Sequence, residues 1–246
     1  MKVAVCWSAA PVALQVRFSS GQIDTSEVER EVPFGDRCAL EMARSLKPDE
    51  CVVLSWTPAS DESILRQALA LGANRLIRID TPLDCSFDPL VVADGLAQVL
   101  RSLGADLVLF GEASGEHGRG VVGSMVAALL GLSHLGPARA LKTEGGRLLV
   151  ETWGDGEAVS FVADPPLAVT VSTDSVIPGK PSPMALMKAF KVPIETASVE
   201  VRQPVLQLRG TVSNEVRRRS REVLESETVG EALQILQAKL RERRVI

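Results

Sequence analysis

Two histidines and four cysteines are the only imidazole and thiol groups in 246 residues. His117 and His134 both fall in apparent loops, and no Ser or Cys stands in a G-x-S-x-G elbow, so a nucleophile with an adjacent base has no support. Cys6, Cys38, Cys51 and Cys85 are scattered, without a C-x-x-C pair or a nearby histidine. That pattern argues against a zinc site and a disulfide framework, and buried reduced thiols are expected. Long apolar runs are missing too: none approaches the roughly 20 residues of a membrane span. The opening MKVAVCWSAAP has neither a long apolar core nor a processing site. A cytoplasmic protein with no membrane insertion is therefore expected. The net charge is -4, and the basic residues Arg217, Arg218, Arg219 and Arg221 form only a local cluster. Nucleic-acid binding requires a broader basic face. Paired carboxylates such as Asp61 and Glu62 open a helical pattern, where the helix macrodipole accounts for them.

What the chain does have is alternation. Short β-rich runs, VAVC (3–6), CVVLSW (51–56), RLIRID (75–80) and ADLVLFG (105–111), are separated by helical patterns at 39–46, 61–73 and 89–104. Continuous apolar strands of this kind are buried on both faces. The order predicts an α/β fold with a doubly wound, mainly parallel sheet and helices on both faces, Rossmann-like and of the adenine-nucleotide-binding type. Beyond Gly131, Gly-Gly and Gly-Asp-Gly turns between β-rich runs read as a short antiparallel meander, followed by a strand at 166–172 and a helical stretch at 182–191. Residues 1–191 are expected to form the nucleotide-binding domain. Residues 192–246 read as an extended C-terminal arm with a terminal helix at 229–243 that packs on a partner subunit.

Gly118 to Gly123 spell GRGVVG, which matches the G-x-G-x-x-G spacing of dinucleotide sites. In that fingerprint the first glycine turns directly off the strand. Here Glu112 to His117 intervene between Gly111 at the strand end and Gly118. Accessible N–H groups in a glycine-rich loop followed at once by a helix suit a phosphate. The same glycines equally allow a helix to pack closely on a sheet. An NAD-dependent enzyme rests on this motif alone, and no acidic residue ends the next strand as that reading needs.

Read with its surroundings, ADLVLFGEASGEHGRGVVGSMVAALLGL resembles the β subunit of electron transfer flavoproteins. So do KVAVCWSAAP, VPFGDRCALEMARSLK, LSWTPASDESILRQALALGANRLIRI, DPPLAVTV and PSPMALMKAFKVPIE, in the same order. The resemblance implies a heterodimer with an α subunit carrying the redox FAD, with AMP or a second FAD on the β side. Chemistry would belong to the flavin, so the chain is an electron carrier subunit and no side chain need be catalytic. Nucleotide contacts carried over by the resemblance are Cys6, then Val32, Pro33 and Phe34, then Trp56. The glycine-rich loop adds Ala113, Ser114, Gly115, Glu116, Gly118, Arg119, Gly120, Val121 and Val122. A partner-recognition segment is implied at Pro183, Met184, Leu186 and Met187, facing a dehydrogenase such as an acyl-CoA dehydrogenase that donates electrons, with a quinone-linked or other acceptor beyond.

The chain departs from the family pattern at several of these places. Val32 stands for the usual Asn, Trp56 is larger than the customary residue, Val121 replaces a Gln, and Arg119 adds a charge suited to phosphate. Pro183 takes the place of a Leu anchor. An electron-transfer subunit and a non-redox adenine-nucleotide-binding or structural homologue with an eroded site both stand at this point.

Overall fold

The computed structural model describes residues 1–19, 22–24, 27–80, 87–114, 117–154, 156–207, 209 and 223–243. The chain divides into two compact units, Met1–Thr211 and Val212–Ile246. In the first, the strands are β1 (Lys2–Cys6), β2 (Ala10–Pro11), β3 (Arg17–Ser19), β4 (Gln22–Asp24), β5 (Arg30–Glu31), β6 (Glu50–Trp56) and β7 (Arg75–Ile79). They continue with β8 (Leu107–Gly111), β9 (Ser133–Glu144), β10 (Arg147–Gly154), β11 (Glu157–Ala163), β12 (Leu167–Val171) and β13 (Glu195–Ala197). Its helices are α1 (Phe34–Ser45), α2 (Glu62–Leu65), α3 (Gln67–Ala70), α4 (Pro89–Leu103), α5 (Val122–Leu130) and α6 (Pro183–Ala189).

Nine strands make one sheet, ordered β11-β10-β9-β12-β8-β1-β6-β7-β13. All pairings from β9 through β12 to β13 are parallel, and β9, β10 and β11 form the antiparallel meander. Strand side chains alternate between two cores. Val3, Val5, Leu107 and Leu109 point to the layer shared with α1 and the short helices α2 and α3. Ala4, Val108 and Phe110 point to the layer with α4 and α5. This is the doubly wound α/β fold expected from the apolar runs, with buried residues on both faces. From β1 the chain steps outward to β6 and β7, then returns to the other side of β1 as β8. The strand order therefore reverses between β1 and β8, the place where open α/β sheets hold ligands at their strand C-termini.

Two segments differ from the periodicity. The helix expected over 61–73 is interrupted at Arg66, leaving only α2 and α3. Arg66 donates through Nη1 to the carbonyls of Ala189 (2.8 Å) and Val192 (2.6 Å), so a distant segment claims the side chain at the break. Residues 195–197, within the arm, add the edge strand β13 beside β7.

Asp88 organises the start of α4. As N-cap it accepts from Leu90 N (2.9 Å), with Pro89 in the first turn and Gly104 closing the helix in the left-handed region. Its other oxygen accepts from Val205 N (2.8 Å) and Leu206 N (3.0 Å). Burial alone would raise its pKa, yet these backbone donors together hold it below the usual carboxylate value.

In the second unit, α7 (Val229–Glu242) is capped by Thr228, which accepts from Glu231 N at 3.3 Å. Acidic Glu231 lies in its first turn and Lys239 and Arg241 in its last, as the macrodipole favours. None of its residues is buried, and Leu233 and Leu236 are exposed.

Replacing Asp88 by Ala removes the cap and leaves two further N–H groups without their acceptor. Urea unfolding of Asp88→Ala is expected to show a loss of about 2 kcal/mol, with Asp88→Asn recovering part of it. An unchanged midpoint would contradict this role.

Candidate functional site

A cleft of about 210 Å³ opens at the C-terminal ends of β1, β6 and β8. Its deeper wall is apolar, made by Cys6, Trp56, Val92, Leu96, Phe110 and Val122. Polar groups, Ser8, Arg30, Asp36, Ser114 and Arg119, line it elsewhere. The sequence produces this division because strand residues alternate in direction and the wider polar connections follow each strand end.

The GRGVVG stretch forms one side. Ser114 folds the preceding loop: its carbonyl accepts from Gly118 N (3.0 Å) and its hydroxyl from His117 N (3.1 Å). Gly118 and Gly120 then take φ values of 60° and 63°, which L side chains adopt only with strain. Gly123 serves packing instead, since a Cβ there would lie 3.0 Å from Thr170 Oγ1 and 3.1 Å from the Phe110 ring. The helix α5 that follows has Val121 at its cap position with no side-chain hydrogen bond. Val121, Val122 and Gly123 all line the cleft, so the first turn of α5, which has no side-chain cap, borders it. An uncapped N-terminus of this kind favours an anion. Arg119 crosses towards α4, donating from Nη1 to Phe87 O at 2.8 Å.

Asp36, in the first turn of α1, is buried against the opposite side. Its Oδ2 accepts from Ser8 N (2.9 Å) and Ser8 Oγ (2.7 Å), and the backbone N–H of Gly111 faces the same carboxylate. Burial outweighs these donors and pushes its pKa up to about 6. Burial and the neighbouring Asp36 also push the Cys6 thiol up, so Cys6 acts as an apolar wall group rather than a thiolate. Arg30 is committed to the protein: Nε donates to the buried carboxylate of Asp61 (2.9 Å) and Nη2 to Ala9 O (2.7 Å). Glu112 fixes the loop from below, accepting from Thr173 N at 3.1 Å.

Of the sequence-predicted contacts, Cys6, Trp56, Ala113, Ser114, Arg119, Gly120, Val121 and Val122 come together around the cleft. Gly118 belongs to the same loop without lining it, and Gly115 and Glu116 lie outside the described residues, as do Cys85 and the basic cluster Arg217, Arg218, Arg219 and Arg221. Val32, Pro33 and Phe34 do not reach it. Val32 is buried in the α1 core, Pro33 occupies the N-cap position of α1, and Phe34 is exposed with the Arg37 guanidinium 5.5 Å above its ring. Sequence reasoning missed Ser8, Arg30 and Asp36. Asp36 had a visible signal, an acid in the first helical turn, but one that capping explains equally well. His117 lines the cleft. His134, expected in a loop, is instead on β9, its Nε2 2.8 Å from Thr170 Oγ1, because the strand begins at Ser133 beside β12. On α6, Pro183, Met184 and Met187 are exposed and Leu186 is half-buried. Cys6, Cys38 and Cys51 are free and buried. Among the described residues no group of three or more His, Cys, Asp or Glu side chains is placed to hold a metal, and no helix is long and apolar enough to cross a membrane.

Because the folded Asp36 carboxyl titrates near pH 6 and an unfolded one near 3.8, the native state binds the extra proton between these values. Stability from this group is therefore present below about pH 4 and lost as pH rises to about 6. Thermal unfolding from pH 4 to 7 is expected to show this loss in the wild type and its absence in Asp36→Asn. Parallel curves for the two proteins would contradict it.

Sequence comparison places the chain in a family. Residues 20–201 match the family model described as the electron transfer flavoprotein domain. Among curated relatives, the electron transfer flavoprotein subunit beta of Syntrophomonas wolfei is 27% identical over 203 residues, covering 80% of each chain. The protein of the same name from Bradyrhizobium diazoefficiens is 30% identical over 192 residues, 76% of each chain. That of Megasphaera elsdenii is 26% identical over 204 residues, 77% of this chain and 75% of its own. With the model spanning most of the sequence and these relatives agreeing in length and order, the chain belongs to the electron transfer flavoprotein β-subunit family.

Proposed function

We propose that the chain is the β-type subunit of a flavoprotein heterodimer, binding an adenine nucleotide in the strand-end cleft. Its partner would be an α subunit carrying FAD, and the complex would pass electrons from a dehydrogenase, such as an acyl-CoA dehydrogenase, to a quinone-linked or other acceptor. The flavin supplies the redox chemistry when bound. This chain's residues bind and orient, so it is a cytoplasmic electron carrier subunit rather than an enzyme. One observation carries the nucleotide reading: the uncapped first turn of α5 borders a cleft that also has apolar surface at Trp56, Val92 and Leu96. That pairing suits a ligand with a phosphate at one end and a flat ring at the other. Arg119, at the lip beside α5, adds the charge for the phosphate, and Gly120, Val121 and Val122 supply its backbone surroundings.

Two surfaces support the partner reading. Met184 and Met187 project from α6 with about 70% of each exposed, and Met-rich surfaces adapt to partner grooves. With Pro183 and Leu186 they form the proposed contact for a dehydrogenase. In the arm spanning residues 192–246, α7 leaves Leu233 and Leu236 without cover in its own unit, in keeping with packing on the α subunit.

Co-expression with a longer flavin-binding homologue from the same genome is expected to give a yellow one-to-one complex. Mass spectrometry of the nucleotide released on denaturation should find an adenine nucleotide in the β chain. A chain that neither pairs nor yields nucleotide would favour a structural homologue, a reading to which the engagement of Arg119 with Phe87 O lends its support. In the nucleotide-bound protein, Arg119→Glu is expected to lower occupancy about 10-fold or more. Equal occupancy in this variant would remove Arg119 from the site.

A further inference from the structure

Very little of α6 is anchored by its own side chains. Although the helix lies against α3, Ala189 is the only buried residue of its seven. A helix this short does not persist on its own hydrogen bonds, because nucleation is costly and too few residues follow to offset it. Its ends therefore need partners. At the N-terminus, Ser182 Oγ accepts from Ala185 N at 3.2 Å, with Pro183 in the first turn. At the C-terminus the partner comes from far away in the sequence. Arg66, between α2 and α3, sends Nη1 to the carbonyls of Ala189 (2.8 Å) and Val192 (2.6 Å). These are the two ends of the closing turn, in which Val192 N donates to Ala189 O at 3.2 Å. The two hydrogens of one guanidinium nitrogen suit the two carbonyls. The same guanidinium lies 5.5 Å from the centre of the Phe190 ring. Among the described residues no carboxylate pairs with Arg66, so its charge is directed at the negative end of α6.

Resting on the reading of α6 as the contact for an electron-donating dehydrogenase, we propose that Arg66 is the positioning residue of that contact. By holding the closing turn it keeps α6 helical and seated on α3. Met184 and Met187, one helical turn apart and each about 70% exposed, are then presented together as an apolar patch. Without Arg66 the last carbonyls lose their donors and the helix frays from that end. Docking of two proteins depends on the orientation of the meeting patches, so Arg66 acts on the encounter with the donor and not on the transfer step within the bound complex.

Hydrogen exchange of the full chain, read by mass spectrometry, tests the first half without any partner. Arg66→Met keeps an apolar stem and removes donors and charge, whereas Arg66→Lys keeps the charge. Peptides covering 183–192 are expected to exchange about 10-fold faster in Arg66→Met and less so in Arg66→Lys, with β1 and β8 unchanged. Equal exchange at 183–192 in wild type and Arg66→Met overturns the proposal. Faster exchange spread evenly over the sheet overturns it as well, because Arg66 would then be a general stabiliser. The second half is read in the complex with the flavin-carrying α subunit, using an acyl-CoA dehydrogenase reduced by its acyl-CoA substrate as the donor. The half-saturating dehydrogenase concentration is expected to rise about 5- to 10-fold in Arg66→Met at an unchanged limiting rate, with Arg66→Lys partly restoring it. Met187→Asp, which alters the patch itself, separates the two ways of failing. If it raises the half-saturating concentration and Arg66→Met does not, this inference alone fails. If neither variant raises it, or the wild-type complex is not reduced, the reading of α6 as the donor contact fails with it.

Discussion

A single buried carboxylate holds together the two strand ends between which the cleft opens. Asp36 receives the N–H and hydroxyl of Ser8, just beyond β1, and faces the N–H of Gly111 at the end of β8. The fold brings these groups together because the sheet reverses its order between β1 and β8, which leaves a crevice that no crossover helix covers. Without an acceptor shared by both sides, backbone donors at this edge would be buried and unmet. The arrangement has a cost, since the carboxylate is itself desolvated. Its raised pKa is the measure of that cost, and the three donors limit it.

From that clamp the rest of the cleft follows. On one side the loop after β8 is folded by Ser114, fixed by Glu112 on Thr173, and passes through two left-handed glycines into α5. On the other, Trp56 and the α4 residues Val92 and Leu96 close an apolar wall. Negative charge is favoured near α5 and Arg119, whereas the Asp36 carboxyl and the Arg30–Asp61 pair are already satisfied within the protein. The cleft thus offers both an uncapped helix turn that favours an anion, at α5, and apolar surface at Trp56, Val92 and Leu96, the two kinds of contact a nucleotide needs.

Much of this was legible in the sequence. Runs such as CVVLSW and ADLVLFG are apolar on both faces, and only a sheet covered on both sides buries them, so fold class followed directly. The displaced glycine loop was legible as well, because the residues before Gly118 distinguish it from a turn made directly off a strand. What could not be read depends on partners remote in sequence. The carbonyls of Ala189 and Val192 that take the Arg66 side chain beside the break are more than 120 residues away, and the short strand β13 carries too few residues for any period. Val32, Pro33 and Phe34 are nucleotide contacts by resemblance alone; the chain turns there into α1 and Val32 is buried in the core, positions that no local pattern announces. Ser8 and Asp36 escaped notice because a serine after a strand and an acid in a first turn are common for local reasons.

The central claim is that the first turn of α5 receives the phosphate of a nucleotide. Backbone amide shifts in the isotope-labelled full chain, followed by NMR as AMP is added, test it most directly. The account expects the largest changes at Gly120 to Ser124, with smaller ones at Ser8 and Trp56. Changes centred on the β9–β11 meander or on α6, with the α5 amides unmoved, would contradict it.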